Sequence, residues 1–175
     1  APGSKGISAF IVERAFPGYS MGKPETTLCI TCSGSVEIVL ENCEVPAENL
    51  LGETDRGFGI ALHTLDGGRI GIAAQALGIA QGAFDEALRY SKERKQFGVP
   101  ISKHQAIQFY LADMATEIDA ARLLAYRAAR AKDTQERYTL EASMAKLFAS
   151  ETANKVAYKA LQIFGGYGYI NEYPV

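Results

Sequence analysis

The chain has 175 residues, a formal net charge of −2 and an apolar fraction of 47%, which is enough apolar sequence for one or two buried cores. A charged fraction of 22% with nearly balanced signs argues against intrinsic disorder and against a basic surface for nucleic acid. No apolar run reaches the roughly 18 residues of a membrane span, and the first residues lack the pattern of a secretion signal. We therefore expect a globular protein in an aqueous, intracellular compartment.

The three cysteines lie in the first quarter of the chain, and Cys29 and Cys32 have the spacing of a redox or metal motif. A structural zinc site needs four ligands, and the two histidines, His63 and His104, lie far along the chain in segments with a helical pattern. We therefore expect Cys29, Cys32 and Cys43 to be reduced and the protein to hold no metal.

Two segments near the start have the composition of β-strands. Residues 7–12 and 36–40 are rich in β-branched side chains, and Pro17-Gly18 between them predicts a turn. The second segment alternates in part: Val36, Ile38 and Leu40 share one side, and Glu37 and Glu41 lie on the other, which predicts one buried face and one wet face. Two or three strands are marginal alone, and the first residue is not methionine, so we expect the chain to begin within a domain.

From about residue 55 the apolar period changes to three and four residues, which predicts helices. The first is expected to run to Glu93. The second opens after the break at residues 97–100, with Ser102 and Gln105 in the positions of a capping box. The third covers residues 138–164, and three long helices with short connections pack as an antiparallel bundle. The inward side chains predicted for the three helices are Ile70, Ala73, Leu77, Ala80, Phe84 and Ala87; Ile107, Leu111, Met114, Ile118, Ala121, Ala125 and Ala128; and Leu140, Met144, Leu147 and Ala160.

The first helix contains an unusual number of glycines, each of which costs up to about 1 kcal/mol relative to alanine. These are Gly67, Gly68, Gly71, Gly78 and Gly82. We expect another group to approach this helix backbone closely, either a neighbouring helix or a ligand.

Four motifs in a fixed order resemble the acyl-CoA dehydrogenase flavoprotein family. They are residues 45–52 (VPAENLLG), 65–69 (LDGGR), 94–98 (RKQFG) and 162–168 (QIFGGYG), and the most specific piece continues through residues 165–174. The resemblance covers nearly the whole chain and is closest to the short-chain and branched-chain members. It implies an α+β chain, with the rear of an antiparallel β-domain in residues 1–53 and an incomplete C-terminal four-helix bundle in residues 54–175.

The resemblance implies a cofactor, FAD, and residues that hold it. Arg94 matches the family arginine that reaches the FAD diphosphate, a task for which a guanidinium fork is suited, and Gln96 and Phe97 belong to the same motif. Without the neighbouring motif, Arg94 would be interpreted as a solvent-exposed charge at the end of a helix. Gln105 matches another FAD contact, although the capping box explains it equally well.

The later motif implies further contacts. The segment Gln162, Ile163, Phe164, Gly165 and Gly166 matches the part that lies against the adenosine side of FAD, where paired glycines let backbone N–H groups approach. The same glycines would also end a helix. In the family these contacts come from the neighbouring subunit, so the resemblance implies a homo-oligomer, a dimer of dimers, with FAD sites across the dimer interface.

Asp66 and Arg69 match positions on the substrate side of the family's active cavity, although a surface ion pair three residues apart would explain them too. The implied reaction is α,β-dehydrogenation of an acyl-CoA thioester, with electrons passed to an electron-transfer flavoprotein. It needs a glutamate base, which the family places either on a loop after the Tyr-Pro segment or at the position of Gly68. Since Gly68 is not acidic, we expect the base beyond Val175 and no catalytic residue within the chain.

One departure from the family bears on substrate, because residues 28–31 are Leu-Cys-Ile-Thr where the family commonly has Leu-Gly-Ile-Arg. Two alternatives stay open. The first is a flavin enzyme on the same fold that does not dehydrogenate, such as a desulfinase, an oxidase or a reductase. The second is a helical assembly module without activity. The resemblance implies the bacterial cytoplasm or the mitochondrial matrix, with no nucleic acid partner and no membrane span.

Overall fold

The computed structural model describes residues 3–175, and the chain divides into one unit that ends at His63 and a second that begins at Thr64. Short strands characterise the first unit and long helices the second, so the predicted α+β class with a helical bundle is confirmed. The division lies inside the first long helix. The predicted domain boundary after residue 53, which precedes that helix, stays a prediction.

The first unit contains four short strands, β1 (Ala9–Phe10), β2 (Tyr19–Met21), β3 (Ile38–Leu40) and β4 (Leu50–Leu51). They form two separate antiparallel ladders, β1 with β4 and β2 with β3. Both predicted strand segments contain a strand, but each strand is shorter than its segment.

The predicted turn at Pro17-Gly18 is confirmed. The Tyr19 N–H donates to the Phe16 carbonyl over 3.1 Å, and Gly18 has φ of +84°, which is the position that type II turns reserve for glycine. A Cβ at Gly18 would overlap the Glu41 carbonyl oxygen. Glycine is therefore required here on both conformational and steric grounds.

The predicted buried face of β3 is wrong. Ile38 and Leu40 are exposed, as is Val36, whereas Val39 on the opposite side is half-buried. Alternation identifies two faces but not which of them is covered, and among residues 3–63 no layer packs over the Ile38 side of this two-stranded ladder.

Three long helices, in the places predicted, build the second unit. They are α1 (Gly57–Glu93), α2 (Gln105–Thr134) and α3 (Thr139–Phe164). Between α1 and α2 lie a hairpin of β5 (Lys95–Gln96) and β6 (Val99–Pro100) and a 3-10 turn at Ile101–Lys103. The four-residue connection between α2 and α3 makes these two helices antiparallel neighbours.

The predicted capping box of α2 is wrong. Ser102 lies in the 3-10 turn, His104 precedes the helix, and no side chain caps its first turn. Instead the Ser102 carbonyl accepts a 3.1 Å hydrogen bond from the Gln108 side-chain amide. The 3-10 turn absorbs the residues of the motif, so Gln105 becomes the first residue of α2 rather than the partner of a cap.

The core of the helical unit is lined by small side chains from all three helices, in the pattern predicted for α1 and α2. Fully or almost fully buried residues include Ala73, Ala80, Ala87, Met114, Ile118, Ala121, Ala128, Ala145, Ala149, Val156 and Ala160. Alanine at so many contact positions allows the helix axes to approach closely.

The inward face predicted for α3 is largely wrong. Leu140, Met144 and Leu147 are 64%, 40% and 59% exposed, and only Ala160 of the predicted set is buried. The buried stripe consists of smaller side chains at helical spacing, namely Ala142, Ala145, Ala149, Thr152, Val156, Ala160 and Ile163. The helix has two apolar stripes. The exposed stripe has the larger side chains, so a sequence pattern selects it as the buried one.

The five α1 glycines that were expected to mark a close contact, Gly67, Gly68, Gly71, Gly78 and Gly82, do not mark one among the described residues. A Cβ added at Gly68, Gly71, Gly78 or Gly82 would meet nothing within 4 Å. At Gly67 it would meet only the tips of two side chains at ordinary distance. At these five positions residues 3–175 therefore provide no close approach to the backbone. At Gly57, where α1 begins, a Cβ would lie only 2.5 Å from the Ala9 nitrogen.

Candidate functional site

A cavity of about 560 Å³ opens where α1 and α3 end. The last turn of α1 supplies one wall, the β5–β6 hairpin supplies the edge, and the C-terminal end of α3 with the 3-10 turn Gly165–Tyr169 supplies the other wall. Its lining residues are Tyr90, Arg94, Gln96, Ile101, Ile163, Phe164, Gly165, Gly166, Tyr167 and Ile170.

Arg94 lies directly after α1 and is fixed through its backbone. Its N–H donates to the Tyr90 carbonyl over 2.8 Å, and its own carbonyl accepts from the Ile101 N–H over 2.8 Å. Its guanidinium carbon lies 5.2 Å from the centre of the Tyr167 ring. Within residues 3–175 no carboxylate forms an ion pair with Arg94, so its N–H donors are available to an anion.

The hairpin explains the sequence that follows Arg94. Phe97 and Gly98 have φ of 53° and 82°, as the two-residue type I′ turn of a hairpin requires. The Phe97 side chain is 95% exposed, and its ring lies edge to face with the His104 ring at 6.0 Å. The turn therefore presents an exposed aromatic ring that does not line the cavity.

Paired glycines form the wall at the end of α3. Gly165 has φ of 60°, and its N–H donates to the carbonyls of Leu161 and Gln162, which ends the helix. A Cβ at Gly165 or Gly166 would meet nothing within 4 Å. The backbone here borders open space, where a ligand can approach without a side chain in between.

Aromatic rings support the floor of the cavity. Tyr90 stacks on Phe164 with ring centres 4.2 Å apart, and Tyr173 packs edge to face on both rings. Tyr167 in turn packs on Tyr173 at 5.0 Å. Partial burial raises the pKa of the Tyr90 phenol above its ordinary value, and the nearby charge of Arg94 opposes part of that rise.

The structure brings together six of the nine residues that the resemblance assigned to FAD, and these are Arg94, Gln96, Ile163, Phe164, Gly165 and Gly166. It does not bring Phe97, Gln105 or Gln162 into the cavity lining. Gln105 is the exposed first residue of α2, and Gln162 is exposed in the last turn of α3. Whether these nine residues contact FAD stays a prediction.

Asp66 and Arg69 lie at the other end of α1, as an ion pair near the start of α3. The Asp66 carboxylate also accepts a 2.6 Å hydrogen bond from the Thr139 hydroxyl. The 24 helical steps from Arg69 to Glu93 span about 36 Å. Within one chain, Asp66 and Arg69 therefore lie far from the cavity that Arg94 lines.

Four lining residues were not predicted, namely Tyr90, Ile101, Tyr167 and Ile170. Tyr90 precedes Arg94 by four residues, a spacing that places two side chains on the same helix face, and this spacing could have identified it. Tyr167 lies inside the motif of residues 162–168. Ile170 lies in the same specific stretch of residues 165–174, whereas no sequence pattern distinguishes Ile101 from other apolar residues.

The structure bears on three sequence expectations: the state of the cysteines, a metal site and a membrane span. Cys29, Cys32 and Cys43 are free. In residues 3–175 no group of three or more histidine, cysteine or acidic side chains is arranged to hold a metal ion. None of the described helices is long and apolar enough to cross a membrane.

Comparison with known proteins gives consistent matches over the whole chain. The profile of the acyl-CoA dehydrogenase C-terminal domain matches residues 55–175. The short-chain specific acyl-CoA dehydrogenase of Clostridium acetobutylicum is 54% identical over 99% of this chain and 46% of its own length. The CarC subunit of the caffeyl-CoA reductase-Etf complex of Acetobacterium woodii is 53% identical over the same shares.

The structure of butyryl-CoA dehydrogenase from Megasphaera elsdenii superposes with a TM-score of 0.96, at 53% identity, over 99% of this chain and 45% of that one. The chain thus spans about half the length of the relatives it matches. With two thirds of its residues matched by the family profile, and with relatives above 50% identity over almost its full length, the chain belongs to the acyl-CoA dehydrogenase family.

Proposed function

We propose that this chain forms part of the subunit of a FAD-dependent enzyme that dehydrogenates a short-chain or branched-chain acyl-CoA between its α and β carbons. The observation that supports this most strongly is the cavity at the end of α1 and α3. It is lined both by Arg94, which has no ion-pair partner among residues 3–175, and by the open backbone at Gly165 and Gly166. The relatives named for acyl-CoA and butyryl-CoA substrates support the substrate class.

The residues of the cavity fit a dinucleotide cofactor. Arg94 offers parallel N–H donors that match a diphosphate, and the backbone at Gly165 and Gly166 borders space that no side chain fills. In this proposal Arg94 binds the diphosphate, while the glycine segment lies against the adenosine half. FAD, when bound, supplies the acceptor for the hydride that leaves the β carbon.

The distance along α1 supports a site shared between subunits. Arg69 and Arg94 of one chain are separated by about 36 Å along α1, and this separation favours a site shared between two subunits over a site built by a single chain. We propose that Arg94 serves the flavin of a neighbouring subunit, while Asp66 and Arg69 border the acyl group bound by their own subunit. This arrangement requires at least a dimer, and we propose a dimer of dimers.

A second candidate function is the reverse reaction, the reduction of an enoyl-CoA. It is favoured by the relative from Acetobacterium woodii, which is named for a caffeyl-CoA reductase-Etf complex. That name also supports an electron-transfer flavoprotein as the redox partner. Direction depends on the potentials of the partners and not on the residues of this cavity.

A spectroscopic titration tests the proposal. A subunit that contains this chain is purified, its flavin spectrum is recorded, and butyryl-CoA is added without oxygen. Loss of the oxidised flavin band, followed by its return on adding an electron-transfer flavoprotein, supports dehydrogenation. Return of the band on adding an enoyl-CoA to the chemically reduced enzyme supports reduction. A purified subunit that binds no flavin contradicts both and favours an assembly module.

A further inference from the structure

We propose that Tyr167 is a positioning residue that holds the Arg94 guanidinium at the cavity wall, ready for the diphosphate. This inference rests on the proposed function, because it assigns a purpose to the neighbour of a proposed FAD ligand. Its starting point is the distance of 5.2 Å between the Arg94 guanidinium carbon and the Tyr167 ring centre, which is within the range of a cation–π contact.

An aromatic partner has a specific advantage for an arginine that must bind an anion. A carboxylate would orient Arg94 by accepting its N–H donors, and those donors would then be lost to the ligand. A ring attracts the cation through its π face and accepts none of them in a conventional hydrogen bond. The absence of an acidic partner for Arg94 within residues 3–175 is the arrangement that this advantage predicts.

The Tyr167 ring is itself held in place. It packs on Tyr173 at 5.0 Å, and Tyr173 rests against Phe164 and Tyr90, which belong to the ends of α3 and α1. The backbone is tied down as well, since a Cβ at Gly168 would lie 2.8 Å from the Leu161 carbonyl oxygen. A fixed ring limits the rotamers of the Arg94 side chain before FAD binds. Less conformational entropy is then lost on binding.

The same segment supplies the open backbone of the cavity. Tyr167 follows Gly165 and Gly166 directly in the 3-10 turn Gly165–Tyr169. One short turn therefore carries both parts. Its glycine backbone is available to the adenosine half of FAD, and its Tyr167 ring supports the Arg94 guanidinium that binds the diphosphate. A ring at position 167 is expected to matter for affinity even where its hydroxyl does not.

A double-mutant cycle tests this inference on the subunit that contains the chain. The dissociation constant of FAD is measured by titrating apoprotein with FAD and following flavin fluorescence, for the wild type, Y167L, R94A and the double variant. We expect Y167L to weaken FAD binding about two- to fivefold and Y167F to bind as the wild type does. In the R94A background Y167L should cause no further loss, because the ring acts only through Arg94.

Controls separate positioning from folding. Y169L removes a 94% exposed ring from the same turn and should leave binding unchanged, while Y167M is a second variant without a ring if Y167L unfolds. The inference is overturned if Y167L weakens FAD binding as much in the R94A background as in the wild type. It is also overturned if Y167L and Y167M both bind FAD as the wild type does. Either result leaves the proposed function intact. Wild-type binding by R94A overturns the proposed cofactor role of Arg94 and the inference with it.

Discussion

The hydroxyl of Thr139 donates a 2.6 Å hydrogen bond to Oδ2 of Asp66, and this bond joins the first residue of α3 to α1. The other carboxylate oxygen of Asp66 pairs with Arg69. Asp66 is almost fully buried, and these two partners stabilise its carboxylate. The bond therefore links the start of α3 to the orientation of Arg69, which we propose to border the substrate.

Replacing Thr139 by valine is expected to destabilise the helical unit by about 1.5 kcal/mol, because a buried charged acceptor loses one donor. Urea unfolding followed by circular dichroism measures the change. Thr116→Val is the matched control, since its hydroxyl bonds only to the backbone of its own helix at an exposed position. Equal free energies of unfolding for the two variants would mean that the bond to Asp66 contributes nothing specific.

The raised pKa of Tyr90 predicts a loss of stability at high pH. The unfolded phenol loses its proton from about pH 10, while the folded phenol keeps it, so the folded state binds more protons and the free energy of unfolding falls as pH rises. Tyr90→Phe removes this contribution. Denaturant unfolding between pH 8 and 11 should give a shallower decline for the variant, and parallel declines would contradict the prediction.

Gly68→Glu is expected to restore part of the base function in an enzyme whose own catalytic glutamate has been replaced by glutamine. The position precedes Arg69 on α1, and a side chain there meets nothing within 4 Å. Anaerobic bleaching of the flavin by butyryl-CoA measures proton removal. Gly78→Glu, at an equally open position farther along the helix, is the control. Absence of bleaching with FAD still bound would show that position 68 does not face the α carbon.

The 175-residue chain by itself is expected to be helical, to associate, and to bind FAD well below one per chain. Apolar side chains of the first unit, among them Ile11, Ile38 and Leu40, are about half exposed, and such surfaces promote association. Replacing Ile38 and Leu40 by lysine should lower the mass in sedimentation velocity, whereas lysines at Ser33 and Ser35 should not. Stoichiometric FAD binding by the isolated chain would contradict the expectation.

The helices were predictable because their apolar residues repeat at helical spacing over many turns, as Ala73, Leu77 and Ala80 do in α1. The buried face of α3 was not, since Leu140 and Met144 form a second apolar stripe, and alanine is buried only because neighbouring helices approach closely. Local patterns likewise did not reveal the 3-10 turn that displaces Ser102 from its predicted cap.

The site was predicted in part for a similar reason. Motifs identified Arg94 and the glycine pair, which the fold brings into one cavity, but they gave no indication that Phe97 lies at the tip of an exposed hairpin. The motif that contains Tyr167 gave no indication of its contact with Arg94, because that contact joins residues 73 positions apart. Such contacts depend on how the C-terminal ends of α1 and α3 pack against each other. The spacing of apolar residues along one helix does not predict this.

The cavity at Arg94 is proposed to hold the diphosphate of FAD, and the dissociation constant of FAD for R94A tests this directly. We expect a loss of about 1.5 to 3 kcal/mol in binding, typical of a hydrogen bond to a charged group, with unchanged helical content. Arg130→Ala, which removes the same charge from an exposed position on α2, should bind FAD as the wild type does. Equal affinity of R94A and the wild type would contradict the claim and would make Arg94 a solvated surface charge.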